Sequence, residues 1–175
     1  MDVYRPIDQL RTNDLNVVRT GFWMPDYLLT DGQFDYGRLS RDSFSASKIT
    51  IEIADSTFTL RRAGIFSRET LILKNGELIG KTIRNIWSYT NNLELNDGFK
   101  ASFLRTRAAG LFTTKMSWIY DDAELIRISG KFSISKPMVV SIIDPAVFKQ
   151  PDHLLLMAFI GIHLRLLRQA RAAAA

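Results

Sequence analysis

The stretch Gly76-Glu77-Leu78-Ile79-Gly80-Lys81-Thr82 has the composition of a phosphate-binding loop, in which backbone N–H groups and a lysine cradle an anion. It is one residue short of that loop's spacing, and such a loop must join a strand to a helix. Here Asn75-Gly76 lies between two β-rich runs and favours a type I′ turn, whose two central residues both need positive φ. Gly80 then falls inside the second strand, so a hairpin is expected and nucleotide binding is not. His153 and His163 are the only imidazoles. On one helix they lie about 15 Å apart along the axis and about 80° apart around it, too far to share a metal. They also make a Ser-His-Asp triad improbable. His153 is expected to cap the helix, and His163 to be hydrogen-bonded inside the fold. Asp121, Asp122 and Glu124 could draw calcium, but the glycine and terminal glutamate of an EF-hand loop are missing, and an acidic hairpin turn is expected instead. The chain has no cysteine, which excludes disulfides, thiolate ligands and thiol nucleophiles. These residues point to no enzyme, no metal and no cofactor.

Charge is the remaining chemical signal. The net charge is +5 and the pI about 9.6. Residues 1–60 hold a surplus of acid and residues 61–175 a surplus of base. A basic half can attract an anionic surface. Arg61, Arg84, Lys100, Arg105, Arg107 and Lys115 are the candidates for binding anionic phospholipid headgroups, with Arg105 and Arg107 on one strand face. Solvated cations without any function are the bland alternative. Nucleic acid is disfavoured, because no recognised binding motif accompanies the charge. A protein partner is the other reading: Trp23, Tyr27 and Tyr36, in the acidic first segment, would be exposed interface anchors.

The elements that must position these residues are mostly strands. Residues 1–16 read as irregular, with a short helical turn near Ile7–Leu10. Strand-like runs follow at Val17–Trp23, Tyr27–Thr30, Phe34–Leu39, Lys48–Ile53 and Thr57–Arg61. In the fourth of these, Ile49, Ile51 and Ile53 share one face and Lys48, Thr50 and Glu52 the other. Glu69–Lys74 and Glu77–Arg84 flank the Asn75-Gly76 turn. Ile86–Tyr89, Leu93–Leu95, Phe99–Thr106, Leu111–Tyr120, Glu124–Ser129, Lys131–Ser135 and Val139–Ile143 continue the meander, with a bend at Gly130. Phe112, Met116 and Trp118 are expected on one face. Asp144-Pro145 opens a single turn through Phe148. No internal repeat is visible.

After Pro151-Asp152 the chain changes character. Leu154 to Leu167 is apolar on nearly every side of a helix and ends in Arg168 and Arg171. Such a helix must be surrounded by protein or lipid. Its rise of about 21 Å falls short of the roughly 30 Å hydrocarbon core, and His163 and Arg165 interrupt it. About twelve strands are the only protein available to surround it. A single domain over 1–175 is expected: a mainly β, closed antiparallel barrel over 17–143 around a central helix over 152–171. A closed barrel also removes exposed strand edges. Leu154, Ala158, Gly161 and Arg165 line one side, where small residues permit close approach to the wall. Arg165, Arg168 and Arg171 are expected to emerge together at the far mouth. The helix is expected to fill that mouth, leaving no room for an acyl chain or small-molecule substrate. The N-terminus has no basic-then-apolar signal, so a cytoplasmic location, peripheral at the inner membrane surface, is expected.

The hairpin Leu71-Ile72-Leu73-Lys74-Asn75-Gly76-Glu77-Leu78-Ile79-Gly80-Lys81, the run Asp121-Asp122-Ala123-Glu124-Leu125-Ile126 and the helix start Asp152-His153-Leu154-Leu155-Leu156 give a second line of argument. A twelve-stranded barrel threaded by a hydrophobic C-terminal helix, with these segments, resembles the tubby C-terminal-like superfamily over residues 40–171. That group includes tubby domains, phospholipid scramblases and LURP-one-related proteins. The resemblance implies the barrel fold. Because tubby domains bind phosphoinositides through basic residues, it also implies anionic lipid as ligand. No individual position carries over. The scramblases' cysteine-rich segment, calcium-loop pattern and proline-rich arm have no counterpart here, so their activity is not implied.

Overall fold

The computed structural model describes residues 4–21, 23–41, 48–88, 90–106, 115–130, 138–148 and 150–174. The strands are β1 (Asp14–Thr20), β2 (Asp26–Thr30), β3 (Asp35–Arg41), β4 (Lys48–Ile53), β5 (Ser56–Arg62) and β6 (Glu69–Lys74). They continue as β7 (Glu77–Arg84), β8 (Asn91–Leu95), β9 (Lys100–Thr106), β10 (Lys115–Tyr120), β11 (Ala123–Ser129) and β12 (Met138–Ile142). Each strand pairs antiparallel with the next, and β12 pairs back onto β1, closing a twelve-stranded barrel. One helix, α1 (Pro151–Ala173), runs through it.

Alternation decides which side chains enter the barrel. Ile49, Ile51 and Ile53 of β4 face inward, as do Phe58 and Leu60 of β5 and Met116 and Trp118 of β10, and all are buried. The outer face carries ion pairs instead, Arg38 with Glu52 at 3.0 Å and Lys81 with Glu69 at 3.0 Å. The hairpin turns follow the expected chemistry. Asn75 and Gly76 have φ of 50° and 91°, and Asp121 and Asp122 have φ of 47° and 61°. One expected strand, Ile86–Tyr89, is not formed over its described residues. Residues 86–88 form a turn after β7, and Lys131–Ser135 lies outside the described residues, as do Phe112, Arg107 and Tyr89.

Every residue of α1 from Leu154 to Ile162 is buried. The helix is off-centre, closest to β3, β4, β10 and β11. Glycines permit these approaches. A Cβ on Gly37 of β3 would lie 2.8 Å from the Phe159 ring, and one on Gly161 would lie 2.5 Å from Ile128 Cδ1 and 3.0 Å from Trp118 Nε1. The bare Gly161 lets the Trp118 indole donate to the Met157 carbonyl at 2.8 Å, one turn earlier in the helix. Pro151 is the first helical residue, as expected, but the cap is Gln150 without a side-chain bond. His153 is not the cap. The first turn is instead held by Asp152, which accepts from Ser56 Oγ and Lys74 Nζ, both at 2.8 Å. Burial raises the Asp152 carboxyl, but the Lys74 and Ser56 hydrogen bonds outweigh it and leave its pKa below the ordinary value. Among the described residues no helix is long and apolar enough to cross a membrane.

Candidate functional site

The two ends of the barrel differ. At the start of α1 the connections are tight turns rich in Asp, and Lys74–Asp152 and His153–Asp97 (3.7 Å) close the opening. At the end of α1 the odd-numbered strands terminate, and five of them do so with the same step. The last inward apolar or threonine position is followed two residues later by arginine: Val17 by Arg19, Leu39 by Arg41, Leu60 by Arg62, Thr82 by Arg84, Phe103 by Arg105. Period-two alternation aims all five toward the barrel mouth. Register agrees, since Arg19 pairs with Tyr27, Arg41 with Ile49, Arg84 with Asn91 and Arg105 with Met116, each an inward partner. Because each hairpin has nearly the same length, these arginines recur every 21 or 22 residues. This is a repeat of register that no stretch of similar sequence betrays.

The helix adds Arg168 and Arg171 inside the ring, Arg168 reaching Met116 Sδ of β10 at 3.6 Å. Burial, and then the charges of Arg84, Arg171 and Arg105, lower the pKa of Arg168. Burial, Arg84 and Arg62 do the same to Arg171. Among the described residues Arg62, Arg84, Arg105 and Arg171 form no ion pair with a carboxylate. The nearby acids Glu69 and Asp26 are engaged on the outer face by Lys81 and Arg38. Arg165 does not emerge with the others. It is 3% exposed and donates to the carbonyls of Ile128, at 3.1 Å, and Gly130. Those carbonyls belong to the end of β11 and the bend after it, so Arg165 is a latch between helix and wall.

The helix does not fill this mouth. Its lean toward β3, β4, β10 and β11 opens a cleft on the other side. One part, about 370 Å³, is floored by Ile49, Leu60, Ile160 and Leu164 and edged by Arg62, Arg68, Arg84 and Arg171. A second part, about 700 Å³, continues past Leu164 and Leu167 to Arg105 and Arg168. His163 borders the first part. Burial, and then Arg41, bring its pKa down to about 4, so the ring is neutral at pH 7. It lies inside, as expected, but its buried Nδ1 has no hydrogen-bond partner among the described residues.

Among the described residues, the loops at this mouth carry the most exposed large apolar side chains. Trp23 is 82% exposed, Ile65 83%, Phe66 97% and Trp87 88%. They sit after β1, β5 and β7. Exposed aromatics at the other end are partly covered: Phe34 lies under the Arg5 guanidinium and Tyr120 stacks on Phe99 at 5.1 Å.

Of the expected lipid-binding residues, Arg84 and Arg105 join the ring. Arg61 and Lys115 stand at the same end on the outer face. Lys100 is at the opposite end, 3.6 Å from Glu94, because the even-to-odd turns place the start of β9 there. Arg107 lies outside the described residues. Of the expected partner anchors, Trp23 is exposed, whereas Tyr27 and Tyr36 are buried, at 7% and 0%. Tyr27 is inward on β2, opposite Leu39, while Tyr36 is buried where the β2–β3 register shifts and its hydroxyl donates to Asp31 at 2.9 Å, so neither is a surface anchor. Arg19, Arg41, Ile65, Phe66 and Trp87 were not singled out by their sequence context. The signal that finds the arginines is position: each stands two residues past the last inward core residue. No protein-family model, curated protein or solved structure matches this chain.

Proposed function

We propose that this protein is a non-enzymatic module that sets its arginine-ringed mouth on a membrane surface containing anionic phospholipid. One observation carries the reading: the arginine ring and four projecting apolar side chains occupy the same end of the barrel. Each basic residue near an anionic bilayer contributes about 1 kcal/mol of attraction. Aromatic tips favour the headgroup level, where an apolar ring and a polar edge are both accommodated. Either feature alone has ordinary explanations; together they match the two layers of a bilayer surface. The barrel with a threaded helix is the architecture that the tubby-like resemblance implies, and kinship with that superfamily is part of this proposal, as is a peripheral position at the inner membrane face.

Vesicle flotation tests it. Binding to anionic vesicles that weakens with salt, and at least roughly tenfold on R84E/R105E, is expected, since each reversal converts attraction to repulsion. W87A and F66A are expected to weaken binding at both low and high salt. Absence of binding, or indifference to salt and to the arginines, sinks the reading. The exposure of Trp23 and Trp87 also suits a protein partner, because such residues serve as interface hot spots. A stoichiometric protein complex, with no vesicle binding, would favour that second reading.

A further inference from the structure

The cleft beside α1 joins two surfaces of opposite character. Its floor is an apolar stripe of the helix, Ile160, Leu164 and Leu167, facing Ile49 and Leu60 across the gap. Its rim holds Arg84, Arg105, Arg168 and Arg171. Both parts fall within the roughly 300–1,000 Å³ typical of small-molecule sites. A flat headgroup contact would use the rim and leave the floor unexplained.

From this we infer that the cleft is a binding site for one molecule of a single-chain anionic amphiphile, its acyl chain against Leu164 and Leu167 and its phosphate monoester among Arg84, Arg105 and Arg171. The phosphate is preferred to a carboxylate on charge grounds. Several guanidinium groups converge, and a dianionic phosphate with three free oxygens can satisfy more of them than one carboxylate can. The inference rests on the membrane-surface reading and deepens it: the surface that docks would also take one lipid into the barrel mouth.

The test is calorimetric titration of the full chain with oleoyl lysophosphatidate below its micelle-forming concentration, alongside oleate, monooleoylglycerol and inorganic phosphate. One-to-one binding of lysophosphatidate is expected. It should be at least roughly 100-fold tighter than that of inorganic phosphate, because a few buried methylenes suffice for that factor. Oleate should bind more weakly than lysophosphatidate, and monooleoylglycerol more weakly still. L164W, which fills the cleft, should reduce lysophosphatidate affinity about tenfold or more while leaving flotation with anionic vesicles intact. L167W, nearer the rim, is a second filling variant, and the unfolding midpoint of each shows whether it folds. R84Q/R105Q should weaken both lysophosphatidate binding and flotation. The cleft assignment is overturned if lysophosphatidate does not bind, if folded L164W and L167W bind it unchanged, or if monooleoylglycerol binds as tightly. In each of those cases salt-sensitive flotation would still stand, so failure of the cleft and failure of the surface reading are distinguishable.

Discussion

Arg165 is charged and almost wholly enclosed, and its guanidinium donates to backbone carbonyls of the wall. Burial, and then Arg168, lower its pKa to about 10, which keeps it charged at neutral pH. R165A strips two carbonyls of a donor and opens a void. A loss of about 3 kcal/mol is expected, read as a lower urea midpoint with unchanged slope, and R165M should lose less because it keeps the volume. His163 gives a pH dependence whose sign is fixed by its depressed pKa. The unfolded chain takes up a proton near pH 6.5, and the folded chain resists until about pH 4. Its contribution is therefore complete above pH 6.5 and is lost as the pH falls toward 4. At about 1.4 kcal/mol per pH unit the loss approaches roughly 3 kcal/mol. His153, also depressed by burial, acts in the same sense. Unfolding free energies from pH 8 to pH 4 should fall more steeply for the natural chain than for H163L. The interior position of His163 was legible from the apolar helix around it. The latch role of Arg165 was not: an arginine near a helix end reads as a cation emerging into water, and its acceptors lie 35 and 37 residues away in sequence.

Among the elements, α1 shows how a helix can be fitted to a wall by removing a side chain. Gly161 costs helix propensity, about 1 kcal/mol relative to alanine. Restoring a Cβ would force it against Ile128 and against a Trp118 indole already fixed by the Met157 carbonyl and by Phe103, whose ring centroid is 4.9 Å away. Overpacking of this kind costs about 1–3 kcal/mol, so G161A should be destabilised by about 1 kcal/mol net, measurable by thermal unfolding. Close approach at Gly161 was readable from the row of small residues on that side of the helix. The strands were readable wherever one face is apolar and the other charged, as in β4 and β5. The reading failed at Ile86-Trp87, where two bulky residues have strand propensity but no barrel position to fill. Propensity carries no information on whether a partner strand is available.

For the whole molecule, arginines from both the acidic and the basic part of the chain gather at one end of the barrel axis. Linear sequence showed that charge was unevenly placed. It did not show that β-hairpins of nearly equal length would lift arginines from five of the six odd-numbered strands to one end while leaving Lys100 at the other. On the proposed membrane-surface reading, the docked barrel would be oriented. Brominated acyl chains in anionic vesicles should quench Trp87 and Trp23 but spare Trp118 deep in the core, with W87F and W23F assigning the signal. D121K/D122K at the opposite end should leave flotation unchanged. The central helix also sets a timetable. The strands that make the wall precede, along the chain, the segment that fills it, and the seam between β1 and β12 joins residues more than a hundred positions apart. A nascent chain thus presents twelve strands without the helix that fills them until Pro151–Ala173 has left the ribosome. Closure of the core must wait for that segment, and the inward faces of Ile51, Phe58 and Trp118 stay open to chaperones until then.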